Sequence, residues 1–162
     1  MEHLWSPWRM KYIMQHESSS NCIFCEALNH TDGSDNLIVY RGNKVFVMLN
    51  RFPYTGGHLM AVPFSHKPSN EELEIEVLHE LMEAVTQAMR VLRTVYKPAG
   101  FNIGANIGES AGAGVAYHVH FHIVPRWVGD TNFMTTTGGT RVIPESLEDS
   151  YARIKKAWEE LK

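Results

Sequence analysis

The sequence predicts an α+β protein in which an antiparallel sheet of about five strands carries one long helix and one C-terminal helix. Three observations predict it. Short apolar runs recur between clusters of Gly, Pro, Asn and Asp, as in strands joined by tight turns. One long stretch instead carries apolar residues at spacings of three and four, the period of a helix. The chain closes on a second, shorter stretch of the same kind. Strand pairs interrupted by one helix build a sheet with helices gathered on it, not a parallel βαβ array.

In chain order, residues 1–20 read as an irregular arm. Trp5, Pro7, Trp8 and Tyr12 suit packing onto a surface, and His16 to Asn21 read as flexible. Residues 21–162 form one domain, since no linker or internal repeat divides them. Leu37–Tyr40 and Val45–Leu49, parted by Arg-Gly-Asn, make a hairpin. Pro53 and the Gly56-Gly57 pair break the following loop, and His58–Pro63 is the third strand.

Ser69 and Glu72 have the spacing of a capping box, in which each side chain satisfies an amide at a helix start. Leu78, Leu81, Met82, Val85, Met89, Leu92 and Tyr96 then form the apolar stripe of a long helix, stopped by Pro98 and Gly100. This stripe reads as core packing. Phe101–Ile107 is the fourth strand, Gly108–Gly114 a glycine-rich connection and Tyr117–Pro125 the fifth strand. A weaker hairpin centres on Gly138-Gly139. Ser146 caps the last helix, whose stripe is Leu147, Tyr151, Ile154, Trp158 and Leu161.

Composition bounds the function. The chain has 162 residues, 44% hydrophobic and 20% charged, as in an ordinary globular protein. A net charge of −3 argues against nucleic acid as the main partner, because such domains present a basic face. No apolar run approaches the ~20 residues that span a bilayer, and no signal-peptide core is present, so no membrane partner and a cytoplasmic location are expected. Two cysteines, Cys22 and Cys25, are too few for a disulfide framework. Their two-residue spacing allows both thiolates to reach one metal ion, with redox chemistry and ordinary reduced thiols as alternatives.

His118, His120 and His122 stand at every second position of the fifth strand, so they share one face, with neighbours about 6.5–7 Å apart. Val119, Phe121 and Ile123 point into the core and hold the working face still. Neutral imidazole attacks phosphorus without a separate base and carries a covalent phosphoryl or nucleotidyl group. Metal binding and simple burial are the other uses of such histidines.

The stretch His118-Val119-His120-Phe121-His122-Ile123-Val124 matches all seven positions of the His-φ-His-φ-His-φ-φ pattern, φ being apolar, and resembles the histidine triad (HIT) family. The similarity runs from about Cys22 to Arg126. The segments LWSPWRMKYI and PRWVGDTNFM resemble the bacterial branch similar to diadenosine tetraphosphate phosphorylases and hydrolases. The resemblance implies a HIT-like fold, a homodimer and an adenine nucleotide substrate. It implies nucleotidyl transfer or hydrolysis on dinucleoside polyphosphates. In that reaction His120 attacks the α-phosphorus to give a nucleotidyl-histidine, and His122 contacts phosphate oxygens.

By the same resemblance Asn50 holds the ribose, where turn capping is its alternative role, and Asn106 makes a second polar contact. Gly112, Gly114 and Ser110 cradle phosphate. Gly114 stands where many members carry glutamine, which leaves the leaving-group preference open. A related branch holds zinc with a cysteine pair and two histidines, so Cys22, Cys25, His66 and His118 are the expected ligands of a structural zinc. His58 is expected to make a structural hydrogen bond; His3, His16, His30 and His79 receive no role. Two other functions compete: an adenosine phosphoramidase-type hydrolase, and a nucleotide-binding regulatory module.

Overall fold

The computed structural model describes residues 22–131, 133–139 and 143–161, so the proposed arm at residues 1–20 lies outside the described residues. Chain order is α1 (Ile23–Leu28), β1 (Ile38–Arg41), β2 (Val45–Leu49), β3 (Leu59–Pro63), α2 (Ile75–Tyr96), β4 (Gly100–Gly104), β5 (Phe121–Arg126), α3 (Phe133–Gly138) and α4 (Leu147–Glu160). The strands form one five-stranded sheet in the order β1-β2-β3-β5-β4, with every neighbouring pair antiparallel. This is the expected α+β architecture.

β2 and β3 are buried along their whole length because both faces of the sheet are covered there. On one face α2 and α4 pack Leu81, Val85, Leu92, Ile154 and Trp158 against Val45, Val47, Leu59 and Ile123. On the other, α1 sets Phe24 and Ala27 against Ile38, Phe46, Met60 and Val62. Burial on this scale, at about 25 cal/mol per Å² of apolar surface, is the main term holding the layers together. Among the described residues no helix is long and apolar enough to cross a membrane.

Several elements differ from expectation. The fourth strand ends at Gly104, not Ile107, and β5 begins at Phe121, not Tyr117. The capping box does not form: Ser69 precedes only a 3₁₀ turn, Asn70–Glu72, its hydroxyl bonds the Glu71 carboxylate and no backbone amide, and α2 starts later, after Glu74. Leu73 breaks the run by taking extended backbone and burying its side chain. Met82 is 49% exposed, because Ala84 and Ala88 let the helix lie closer to the sheet on a neighbouring stripe. Leu161 follows the end of α4 and is exposed.

In place of the hairpin near Gly138-Gly139, Phe133–Gly138 closes into a short helix. Gly139 follows it with a left-handed φ of 58°, the usual conformation after a helix end. Residues 140–142 are outside the described residues. Ser146 caps α4 as expected, accepting from the Asp149 amide at 3.1 Å.

Two contacts tie sheet turns to α2. Glu80 Oε1 accepts from the amides of Asn43, Lys44 and Val45 at 2.7, 3.0 and 3.3 Å, which ties the β1–β2 turn to α2. Gly57 has φ 75°, and a Cβ there would lie 2.8 Å from the Tyr96 ring, so only glycine lets the β2–β3 loop close against α2.

Candidate active site and metal centre

The three histidines keep one face although the hydrogen-bonded strand is shorter than expected. Ahead of β5, the Val119 amide donates to the Lys67 carbonyl at 2.7 Å, and His118 Nε2 donates to the Pro63 carbonyl at 2.9 Å. These two bonds continue the attachment of β5 to the segment after β3. Val119 and Ile123 lie in the core under α2, and Phe121 packs against it. His118 and His120 are buried on the opposite side, and His122 is half-buried.

Backbone carbonyls decide where the ring protons sit, since a carbonyl only accepts. His118 must carry its proton on Nε2, so its Nδ1 lone pair is free and faces Cys22 Sγ at 3.2 Å and Cys25 Sγ at 3.6 Å. His120 Nδ1 lies 3.0 Å from the His118 carbonyl and donates to it, so Nε2 holds a lone pair. Burial pushes the His120 pKa below the ordinary imidazole value, partly offset by that carbonyl. Burial likewise lowers His118, to about 4, against the Pro63 carbonyl and helped by His66 and His120. Both rings are neutral near pH 7. Phe24 from α1 backs them, with its ring centroid 4.8 Å from His120 and 5.3 Å from His118.

His58 makes the structural hydrogen bonds expected of it, and they place it in the same cluster, which the sequence reading did not assign. It is 1% exposed, its Nε2 lies 2.9 Å from His122 Nδ1, and its Nδ1 lies 3.1 Å from the Tyr54 amide. Burial, then His122 and His120, lower its pKa to about 3. The signal was in the register: Met60 pairs with His122, and His58 stands two residues before Met60 on the same face.

The sequence-predicted metal ligands also come together. One donor atom from each of Cys22, Cys25, His66 and His118 lies within 4.8 Å of the others. Helix α1, absent from the sequence reading, makes this possible. Cys22 is its N-cap and Cys25 lies three residues on, so both sulfurs fall on one side of the first turn. His66 Nδ1 reaches Cys25 Sγ at 3.3 Å. Burial and the neighbouring Cys22 raise the Cys25 thiol. Two sulfurs and two imidazoles, one with its lone pair already aimed inward, are a donor set that could hold a metal ion.

Asn50 follows β2, where its Oδ1 accepts from the Phe52 amide at 2.9 Å, so the turn-capping role is real. Its backbone N–H donates to the His58 carbonyl at 2.9 Å, which links it to the histidine cluster. Gly108 and Gly112, at φ 78° and 84°, flank a 3₁₀ turn, Glu109–Ala111, that exposes Ser110. Asn106 is half-buried just before this turn and Gly114 is exposed after it.

The HIT domain family matches residues 32–128. The chain is 38% identical to the AP-4-A phosphorylase of Mycobacterium tuberculosis over 98% of its own length and 85% of that protein. Among solved structures it is similar to a histidine triad nucleotide-binding protein of Sulfolobus tokodaii. That likeness has 30% identity and a TM-score of 0.71, covering 87% of this chain and 94% of the other. A Zn-bound histidine triad family protein of Mycobacterium smegmatis shares the fold, with 24% identity and a TM-score of 0.70 over 87% of this chain and 95% of that one.

Proposed function

Because the chain belongs to the histidine triad family and is an enzyme of that type, we propose that it transfers a nucleotidyl group from a dinucleoside polyphosphate through a covalent bond to His120. One observation carries the reading. The His120 Nδ1–H is committed to the His118 carbonyl at 3.0 Å, which leaves a neutral ring with its lone pair on Nε2. That lone pair attacks the α-phosphorus, the bond to the bridging oxygen breaks, and the remaining nucleoside polyphosphate, ATP from diadenosine tetraphosphate, leaves with the electron pair. The carbonyl then faces the positive charge that spreads over the ring. Water or inorganic phosphate attacks the same phosphorus in a second in-line step and returns His120 to its starting form.

His122 donates to a phosphate oxygen in this scheme. Asn50 offers its amide to the ribose, and Gly112, Gly114, Ser110 and Asn106 line the phosphate chain. The tilted packing of the Phe24 ring against His120 restricts the nucleophile's orientation before substrate arrives.

Cys22, Cys25, His66 and His118 fit zinc and would hold it. When bound, the ion supplies a structural clamp between α1, the segment after β3 and the triad. The AP-4-A phosphorylase relative favours diadenosine tetraphosphate as substrate and phosphate as acceptor. The reduced cysteine pair suits a cytoplasmic protein. β1 and β4 are the sheet edges, and pairing at such an edge across a twofold axis would make the homodimer.

Incubation with diadenosine tetraphosphate, with and without inorganic phosphate, tests the reading. ADP and ATP formed only with phosphate indicate phosphorolysis, and AMP and ATP formed in water indicate hydrolysis. No cleavage under either condition overturns it.

A further inference from the structure

Helix α1 brings two thiols within reach of each other. Cys22 stands at its start and Cys25 three residues on, and the two sulfurs lie within 4.8 Å of one another and of one nitrogen each of His66 and His118. Both cysteines are half-buried, so a small solute reaches them. Residues three apart on a helical turn have Cβ atoms about 5–6 Å apart, against about 3.8 Å across a disulfide. Bridging these sulfurs therefore draws the first turn of α1 together by about 1–2 Å.

That turn also frames the nucleophile. Phe24 lies between the two cysteines in the chain, is 1% exposed, and sets its ring centroid 4.8 Å from that of His120. His118 faces Cys22 Sγ with its Nδ1 at 3.2 Å, while its carbonyl takes the His120 Nδ1–H at 3.0 Å. Two groups that hold His120 are thus tied to the thiol pair.

We propose that Cys22 and Cys25 form a redox-modification site, and that their oxidation by a peroxide to a disulfide reversibly disables His120. One sulfur attacks a peroxide oxygen, the O–O bond breaks, and water leaves a sulfenic acid behind. The second sulfur attacks the first, the S–O bond breaks, and a second water departs. Two thiols and one hydrogen peroxide become one disulfide and two waters; sulfur is oxidised and peroxide oxygen reduced. Bridged sulfurs are no longer thiolates, so the four-ligand set is lost. His118 loses the groups facing its Nδ1, and the turn under Phe24 shifts. A misplacement of about 1 Å at a reacting group costs on the order of 100-fold in rate. The second cysteine captures the sulfenic acid before further oxidation and leaves the change open to thiol reductants.

The loss of rate rests on the role proposed for His120, so the experiment reads the switch with and without turnover. Zinc-loaded full-length protein is treated with hydrogen peroxide. Peptide mapping without reductant, released zinc, the NMR resonances of the His120 ring and cleavage of diadenosine tetraphosphate are then followed. The expected result is a Cys22–Cys25 disulfide, zinc release, shifted His120 resonances and a rate lower by about 10–100-fold. Dithiothreitol with added zinc should reverse all four, which separates the switch from methionine oxidation, since sulfoxide needs a dedicated reductase. The Cys22→Ser/Cys25→Ser protein, compared with its own untreated state, should show neither the shift nor a reversible loss of rate. Treated wild-type protein without the disulfide overturns the proposal. So does a fully bridged protein whose His120 resonances, or whose measurable rate, match the reduced form, and so does a double variant with the same reversible loss. A disulfide that reversibly shifts His120 in a protein cleaving no dinucleoside polyphosphate supports the switch and counts against the proposed substrate.

Discussion

At the scale of single residues, burial makes the buried histidines neutral, and neutrality has a cost in acid. His58 has a folded pKa of about 3, below the unfolded imidazole value of about 6.5. The unfolded chain therefore binds the extra proton first, so stability is full above pH 6.5 and falls as pH drops toward 3. At pH 5 this one group removes about 2 kcal/mol. Urea titrations at pH 7 and pH 5 should show that loss, and a His58→Phe variant should show a shallower pH dependence. The same direction of shift at His120 places the acid limb of the kcat/KM profile below 6.5. His120→Asn, which keeps a donor near the His118 carbonyl, should lose turnover by about 10³-fold or more while still binding nucleotide.

At the scale of elements, α1 matters more than its six residues suggest. It carries both cysteines and Phe24, and Asn36 ties it down. Asn36 donates to the Ala27 carbonyl at 3.1 Å and accepts from the Gly33 and Ile38 amides at 3.1 and 3.3 Å. Asn36→Ala should cost about 1–3 kcal/mol in chemical denaturation, because it strands buried backbone groups. Purified without chelator, the protein should hold about one zinc per chain by elemental analysis, and Cys25→Ser should lower that content severalfold.

The elements that escaped the sequence reading are those decided by tertiary contacts. Six residues give too little periodicity to mark α1, and the capping box at Ser69 was displaced when Leu73 found a buried site. The strands β2 and β3 were legible as short continuous apolar runs bounded by turn residues, and the stripe through Leu81, Val85 and Leu92 by its helical period. Leu37, buried with a φ of 61°, carried no signal at all, since leucine rarely adopts that conformation.

At the scale of the whole molecule, the sheet brings three distant segments to one place. The β2–β3 loop supplies His58 and the Tyr54 amide, the end of β3 and the segment after it supply the Pro63 carbonyl, His66 and the Lys67 carbonyl, and β5 with its approach supplies the triad. The seven-residue motif was enough to point at His118, His120 and His122, and the cysteine spacing at a metal. The motif said nothing of His58's part, because that depends on the register of β3 against β5. Light scattering should give a mass near twice 18.4 kDa if sheet edges pair between copies, and the mass of one chain counts against that assembly.

The central claim is a transient bond between His120 and phosphorus, and rapid quenching tests it most directly. With diadenosine tetraphosphate labelled at the α-phosphorus, base-quenched enzyme digested and sequenced by mass spectrometry should carry an acid-labile adenylyl group on His120. Product formed at full rate by an enzyme that never carries the label there, or one carrying it on another residue, contradicts the account.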